Sequence, residues 1–156
     1  MRKISILLLP LLLGACASAE TVRTAQNEAI IKAKVDPECG SSQAAAVAAK
    51  AAAVETIRSG FDRYQVLGEQ SANNVRYVQR PGTYETVRTT QPNGQVTTTT
   101  SYRPGPTVPT GSYNQDFYIR MFKDGEPGSE NAISARETLG PDWKRIAEEG
   151  APTSCF

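Results

Sequence analysis

The pattern of apolar residues changes at Gly60, and this change constrains the fold more than any other feature of the 156-residue chain. Residues 43–59 are so rich in alanine that they predict a helix, and Gly60 stands where a helix-ending glycine is expected. From residue 61 onward apolar and polar residues alternate, which is typical of strands. A long helix followed by several strands indicates an α+β domain.

The predicted strands are short and are joined by turn-forming residues. They cover residues 63–68, 75–80, 83–90, 95–103 and 116–123. Turns are expected at residues 71–74, 81–82 and 92–94, and the Pro-Asn-Gly sequence of the last favours a hairpin. The arms of this hairpin are mostly threonine and bury little, so we expect it to lie at a sheet edge or to project from the sheet. The sequence of residues 104–111, rich in proline and glycine, predicts a loop.

The C-terminal third is predicted to provide the central strand and two helices. In residues 116–123, Phe117, Ile119 and Met121 share one face, which should be buried. Helices are expected over residues 131–139, with Ser129 as N-cap, and from residue 141 or 142 to 149. The sequence thus predicts a two-layer α+β fold. A long N-terminal helix and the C-terminal helices cover one face of an antiparallel sheet of four or five strands, and the other face is free for a partner.

The N-terminal segment is typical of a secretory signal. Arg2 and Lys3 supply positive charge, and residues 4–13 are almost wholly apolar but too short for a permanent membrane-spanning helix, which needs about 20 residues. The closing sequence, Leu-Gly-Ala before Cys16, resembles the lipobox of bacterial lipoprotein precursors. That resemblance implies cleavage before Cys16, a diacylglycerol thioether on its sulfur and an amino terminus acylated by a fatty acid such as palmitate.

The same resemblance implies a location and a domain division. Ala17 follows the cysteine instead of the aspartate that retains such proteins at the inner membrane, so a lipid-anchored position in the outer membrane, at its periplasmic face, is expected. Residues 1–15 are then the signal peptide, residues 16–38 a lipidated N-terminus and tether with helical tendency over 21–34, and residues 39–156 one domain. Alternatively, ordinary signal peptidase could cleave near residues 15–19 and release a soluble periplasmic or secreted protein.

Composition excludes several classes of function. The sequence contains no histidine, which excludes Ser-His-Asp and Cys-His nucleophiles and His-containing zinc sites. Without Arg2 and Lys3 the net charge is near −1, which argues against nucleic acid as a partner. No phosphate-cradling glycine loop is present, and the three carboxylates of residues 124–130 do not match the EF-hand spacing, so neither a cofactor nor a metal is predicted. The carboxylates considered for acid–base chemistry are Asp62, Glu69, Glu85 and Asp116.

We therefore expect a non-enzymatic binding, assembly or sensing module of the cell envelope. The alternatives are a surface inhibitor or exclusion factor that blocks another protein with residues 83–103, and a carboxylate-dependent cell-wall glycan hydrolase. Strand alternation predicts that four arginines and an aromatic residue share the uncovered sheet face, where they would bind an envelope protein or an anionic envelope polymer. These candidate partner-binding residues are Arg63, Arg76, Arg80, Tyr118 and Arg120.

The three cysteines predict one disulfide. Three is an awkward number for an oxidising compartment, and lipidation of Cys16 leaves Cys39 and Cys155 as a pair. So long a loop makes the bond worth about 3–5 kcal/mol. We expect the mature protein to change mobility between non-reducing and reducing gels, and Cys39→Ser and Cys155→Ser to lower the melting temperature similarly. Free thiols at both positions in protein taken from the envelope would contradict this pairing.

Overall fold

A computed structural model describes residues 16–151 of the chain. The strands are β1 (Ala17–Ala25), β2 (Glu28–Val35), β3 (Arg63–Asn73), β4 (Arg76–Gln79), β5 (Thr83–Thr90), β6 (Val96–Arg103), β7 (Thr107–Thr110), β8 (Tyr113–Phe122) and β9 (Ile133–Ser134). The α-helices are α1 (Ser41–Arg58), α2 (Ala135–Leu139) and α3 (Trp143–Glu149), and Pro37–Cys39 forms a 3₁₀ turn. The predicted signal peptide at residues 1–15 and Cys155 lie outside the described residues, so lipobox cleavage and the disulfide stay predictions.

Five strands form one antiparallel sheet in the order β1-β2-β8-β3-β9. Helix α1 packs on one face of it against β1, β2, β3 and β8, while α2 and α3 pack against α1. Strand β8 is central, and its Phe117, Ile119 and Met121 are buried as predicted. The mixed helix and antiparallel-sheet class is therefore confirmed. The predicted helix over residues 43–59 is confirmed as α1, but two strands precede it, so it is not N-terminal.

Alanine allows α1 to lie close to the sheet, because its small side chain adds little distance between the backbones. The buried face of the helix consists of Ala44, Val47, Ala48, Ala51, Ala52, Ala53, Val54 and Thr56. The hydroxyl of Thr56 donates to the carbonyl of Ala52 at 2.7 Å, so this buried polar group is paired. After the helix, the amides of Gly60 and Phe61 donate to the carbonyls of Ile57 and Thr56, the two bonds of a Schellman motif. Gly60 supplies the positive φ, +81°, that this ending requires.

The N-terminal prediction of a tether with a helix over residues 21–34 is wrong. Residues 17–35 form β1 and β2, joined by a short turn, and β2 lies directly beside the central strand. The physical reason is an alternation in β2 that buries every second residue, namely Ala29, Ile31, Ala33 and Val35. A two-residue period of this kind matches a strand and would scatter the same side chains around a helix.

The C-terminal helices are shorter than predicted. Helix α2 begins at Ala135 instead of residue 131, because Ser134 provides the N-cap: its hydroxyl accepts from the amide of Glu137 at 3.4 Å. The predicted cap, Ser129, is buried among the turns that precede β9. Helix α3 agrees with the prediction for residues 141–149, and the described part of the chain contains no helix long and apolar enough to cross a membrane.

A long two-stranded ribbon leaves the sheet between β3 and β8. It consists of residues 74–111 and contains two ladders, β4 with β7 and β5 with β6. Asn73 lies opposite Tyr113, Arg76 opposite Thr110 and Thr83 opposite Arg103, so every pair is equidistant in sequence from Asn93. No residue is inserted on either side at the breaks between ladders. The ribbon is therefore the continuation of one hairpin, and at about 3.3 Å per residue it reaches roughly 60 Å from the sheet if straight.

Glycines bring the two arms of the ribbon together at the breaks. A Cβ atom on Gly82 would lie 2.3 Å from the carbonyl oxygen of Arg103, and one on Gly105 would lie 2.2 Å from that of Arg80. At the base of the ribbon, Gly111 has a φ of +100°. A Cβ atom on it would lie 2.1 Å from the carbonyl oxygen of Asn74. These contacts are with backbone atoms, which cannot rotate away, so only glycine fits.

The ribbon confirms some predicted turns and corrects others. Residues 92–94 form the predicted hairpin turn, in which the amide of Gly94 donates to the carbonyl of Gln91 at 2.9 Å. The predicted turn at residues 71–74 is wrong, because β3 runs through it to Asn73. The loop predicted over residues 104–111 is also wrong in part, since it contains β7. Its prolines are tolerated because an isolated ribbon has two outer edges that need no hydrogen-bond donor.

Removal of the ribbon should leave the sheet intact. We expect replacement of residues 75–111 by Asn-Gly, a two-residue turn that closes the pair of Asn74 with Ser112, to change the melting temperature by only a few degrees, because the ribbon buries little. As a control, Ile119→Ala should lower it by about 10 °C, since deletion of a fully buried side chain costs about 2–5 kcal/mol. Thermal unfolding monitored by circular dichroism makes the comparison. Loss of cooperative unfolding in the ribbon replacement would contradict the separation of ribbon and core.

Candidate functional site

The uncovered sheet face holds three of the predicted partner-binding residues, Arg63, Tyr118 and Arg120. Tyr118 and Arg120 both bind Glu28 of the neighbouring strand. The Arg120 guanidinium lies 2.7 Å from the Glu28 carboxylate through Nη2 and donates to it at 2.9 Å through Nε. The Tyr118 hydroxyl donates to the other carboxylate oxygen. The hydrogen bond from Tyr118, followed by that from Arg120, lowers the pKa of Glu28, and the bond to Glu28 raises the pKa of Tyr118. The opposite charges of Glu28 and Arg120 are therefore paired within the fold.

Arg63 is also occupied within the fold. Its Nε lies 2.7 Å from Oδ1 of Asp124, and its Nη1 donates to the carbonyl of Ala132 at 3.2 Å. These bonds hold the turns after β8 against the start of β3. In the same segment, the carboxylate of Glu126 accepts from the amide of Lys123 at 2.8 Å. Within residues 16–151, no three acidic or cysteine side chains come close enough to hold a metal ion.

The predicted surface of four arginines and an aromatic residue is not formed. Arg76 lies on β4 and Arg80 at the next break, so both belong to the ribbon beyond the end of the sheet. Strand alternation correctly assigned Tyr118 and Arg120 to one face, but the prediction assumed that the chain turns back at residues 71–74. Because it continues outward instead, the arginines are divided between the sheet and the ribbon.

A shallow groove of about 370 Å³ crosses the uncovered face, and its charged lining residues are Lys32, Glu69 and Asp116. Glu20, Lys32 and Asp116 face one another across β1, β2 and β8, so opposite charges alternate. Glu69 also lines the groove. In the register of β3 with β8, however, Glu69 lies opposite Phe117, and Gln70 lies opposite Asp116. Adjacent residues of a strand point to opposite faces, so the carboxylates of Glu69 and Asp116 diverge.

The other two carboxylates considered for catalysis are also apart. Asp62 pairs with Arg136 at 2.8 Å, beside the start of β3, whereas Glu85 pairs with Arg103 at 3.0 Å in the outer half of the ribbon. An acid–base pair needs two carboxyl groups on either side of one bond, about 5–10 Å apart. The described structure therefore brings no such pair together from the four candidates.

The ribbon is the strongest candidate for a binding element, because its exposed side chains are cationic and aromatic. It carries four arginines and one glutamate, a net charge of +3, while the rest of the chain from residue 16 onward has 11 basic and 15 acidic side chains, a net charge of −4. Arg76, Arg80 and Arg88 have no ion pair with any of residues 16–151. Sequence reasoning missed this asymmetry because it counted charge only over the whole chain.

Three tyrosines are displayed beside these arginines. Tyr77 is 74% exposed, Tyr84 76% and Tyr102 54%, and none of them belongs to the core formed by residues 16–151. The rings of Tyr84 and Tyr102 face each other across β5 and β6 with centroids 5.1 Å apart. Ten of the 38 ribbon residues are threonine, which favours extended backbone without adding much apolar surface. The hydroxyls of Thr86 and Thr100 lie 3.1 Å apart.

The base of the ribbon lies at the same end of the sheet as Cys16. Strand β1 begins directly after this cysteine, and Ala17 pairs with Val35, which pairs with Tyr113 at the last rung before the ribbon. The carbonyl of Cys16 accepts from the amide of Asp36 at 2.9 Å. The sulfur of Cys39 lies 3.7 Å from the same carbonyl, and the turn that contains Cys39 contacts β7 of the ribbon.

Comparison with known proteins adds no assignment. No family model, no curated protein and no solved structure matches this chain.

The trio of Glu28, Tyr118 and Arg120 predicts a specific acid response. Because its pKa is lowered by folding, the Glu28 carboxylate stabilises the protein above the pKa of an unfolded glutamate, about 4.3, and this contribution is lost as the pH falls from there through the lowered value. We expect Glu28→Gln to lower the melting temperature slightly near neutral pH and to have a smaller effect in acid. Glu20→Gln, at an exposed site on β1, is the control. An equal difference between Glu28→Gln and the unaltered protein at both pH values would contradict this assignment.

Proposed function

We propose that this protein is a lipid-anchored, non-enzymatic binding protein of the bacterial outer membrane, held at the periplasmic face through Cys16, and that the ribbon is its contact element. One observation carries the proposal: the ribbon exposes three tyrosines and four arginines while adding nothing to the core. Tyrosine and arginine are the residues that most often dominate binding energy at interfaces. The anchoring part rests on the lipobox resemblance and the ribbon part on the described geometry.

The ribbon is unfavourable for stability and solubility, and a purely structural role would not offset this disadvantage. Two-stranded hairpins are marginally stable in water, and open strand edges invite unwanted pairing. A two-residue turn could close β3 and β8 at Asn74 and Ser112 without it, because the amide of Asn74 already donates to the carbonyl of Ser112 at 2.9 Å. Retention of 37 further residues, numbers 75–111, therefore supports a function in contact with a partner.

The non-enzymatic part of the proposal rests on the chemistry that the sequence offers. Histidine is missing from it, and the carboxylates considered for acid–base work are dispersed between the ribbon, the groove and the start of β3. The alternative of a glycan hydrolase thus gains no support. An inhibitor or exclusion factor remains the second candidate, since the exposed Tyr84 and Tyr102, about midway along the ribbon, are accessible to another protein.

Photo-crosslinking in cells tests the contact element. A benzophenone amino acid is placed at Tyr77, Tyr84 or Tyr102, and, as a matched control, at Ile133, an apolar residue of the body that is 49% exposed. We expect discrete adducts from the ribbon positions and at least severalfold less from Ile133. Mass spectrometry then identifies each adduct as protein, glycan or phospholipid. An endogenous envelope component supports the binding module, whereas a foreign or host protein supports the inhibitor.

The anchor is tested in the same cells. Cys16→Ser should abolish lipid labelling, move the protein away from the outer membrane and reduce adducts at the ribbon positions, because attachment by several acyl chains is what makes anchoring durable. Equal adduct yields from the ribbon and from Ile133, or ribbon adducts that stay unchanged in Cys16→Ser, would contradict the proposed function.

A further inference from the structure

The position of Cys16 relative to the ribbon indicates what the ribbon contacts, an inference that rests on the lipid anchor of the proposed function. Strand β1 starts at Ala17, and the carbonyl of Cys16 is already fixed to Asp36 by a hydrogen bond of 2.9 Å. No flexible linker therefore separates a lipid on Cys16 from the sheet. The bilayer surface must begin within about one residue of β1, at the end of the sheet from which the ribbon also departs.

The ribbon cannot enter the hydrocarbon of that bilayer. A two-stranded ribbon has unpaired N–H and C=O groups along both outer edges, and such groups find no partner in lipid. Each arginine would add a further free-energy cost at the bilayer centre. The ribbon starts beside the membrane and is excluded from its interior. It can therefore run only along the headgroups or away from the membrane.

We propose that the ribbon lies along the membrane surface and binds the headgroups of anionic phospholipids. Its charge of +3, against −4 for the remaining mature chain, draws the ribbon toward a negative surface while the body is repelled from it. Arg76, Arg80 and Arg88 are exposed and unpaired within the described residues, so their forked donors are available to phosphates. Tyrosine is enriched at the level of the headgroups, which suits Tyr77 and Tyr84.

The anionic polymer and the envelope protein fit the same residues less well. Either would have to reach the ribbon at the membrane itself, because the anchor holds the base of the ribbon there. A headgroup surface is available along the whole ribbon without a further binding event, and tethering raises its effective concentration. Charge complementarity and the position of Cys16 thus both favour lipid.

The test uses the lipidated mature protein reconstituted into vesicles. An environment-sensitive fluorophore is attached to a cysteine introduced at Val87, which is 53% exposed on β5. The vesicles contain phosphatidylcholine alone or phosphatidylcholine with phosphatidylglycerol. We expect a blue shift and protection from aqueous quenchers only with phosphatidylglycerol, both reversed by salt, because the attraction decays within a Debye length of about 10 Å at moderate ionic strength.

Two variants with equal charge change separate the ribbon from the body. In the first, four ribbon arginines become glutamine: Arg76, Arg80, Arg88 and Arg103. In the second, four exposed lysines of the body become glutamine: Lys32, Lys34, Lys50 and Lys144. The first should weaken docking by roughly fivefold per arginine removed, whereas the second should leave it nearly unchanged, because its lysines do not lie on the ribbon.

The outcomes are distinct. A salt-sensitive response to phosphatidylglycerol that the ribbon variant loses and the body variant keeps supports the proposal. No response to phosphatidylglycerol, or equal responses from both variants, overturns it. If the response is missing while ribbon adducts in cells are protein or glycan, the lipid inference fails and the proposed function stands; if the ribbon positions also give no adducts, both fail.

Discussion

The structure depends on the pairing of β8 with strands on both sides and with an alanine-rich helix on one face. Among residues 16–151, β8 is the only strand that pairs with both the N-terminal hairpin of β1 and β2 and the strand β3 that follows α1. Its buried residues, Phe117, Ile119 and Met121, fill the space under α1. Because α1 presents mostly alanine, large side chains from the sheet and small ones from the helix share a thin layer at normal packing density. Loss of β8 would separate the remaining elements into pieces without a common core.

Much of this core could be predicted from sequence, and the errors have identifiable causes. Helix α1 and the buried face of β8 follow from strong, uninterrupted patterns in residues 43–59 and 116–123. The N-terminal hairpin was not predicted because its alternation is imperfect: Ile31, Ala33 and Val35 alternate with lysines, but Ile30 is apolar. Helical propensity and the expectation of a tether after the lipobox were given more weight than that period. Local pattern carries more information than the position of a segment in the chain.

The candidate site was less predictable because it depends on where strands end. Alternation gives the face of Arg120 but not the carboxylate of Glu28 across the sheet, which required knowledge that residues 28–35 are a strand. Likewise, Arg76 and Arg80 have the same alternation whether the chain turns back at Asn73 or continues. Only the common register of β3, β4 and β5 with their partners, centred on Asn93, distinguishes the two cases. Pairing over dozens of residues is information that no short window contains.

The glycine contacts at the ribbon breaks have a consequence for how the ribbon can vary. An element with a core is constrained at many positions by volume, but the ribbon is held in shape by backbone against backbone at Gly82, Gly105 and Gly111. Its exposed side chains can change in size and chemistry without disturbing that shape. The missing side chains of these three glycines therefore fix the course of the ribbon and leave the chemistry of its surface free to vary.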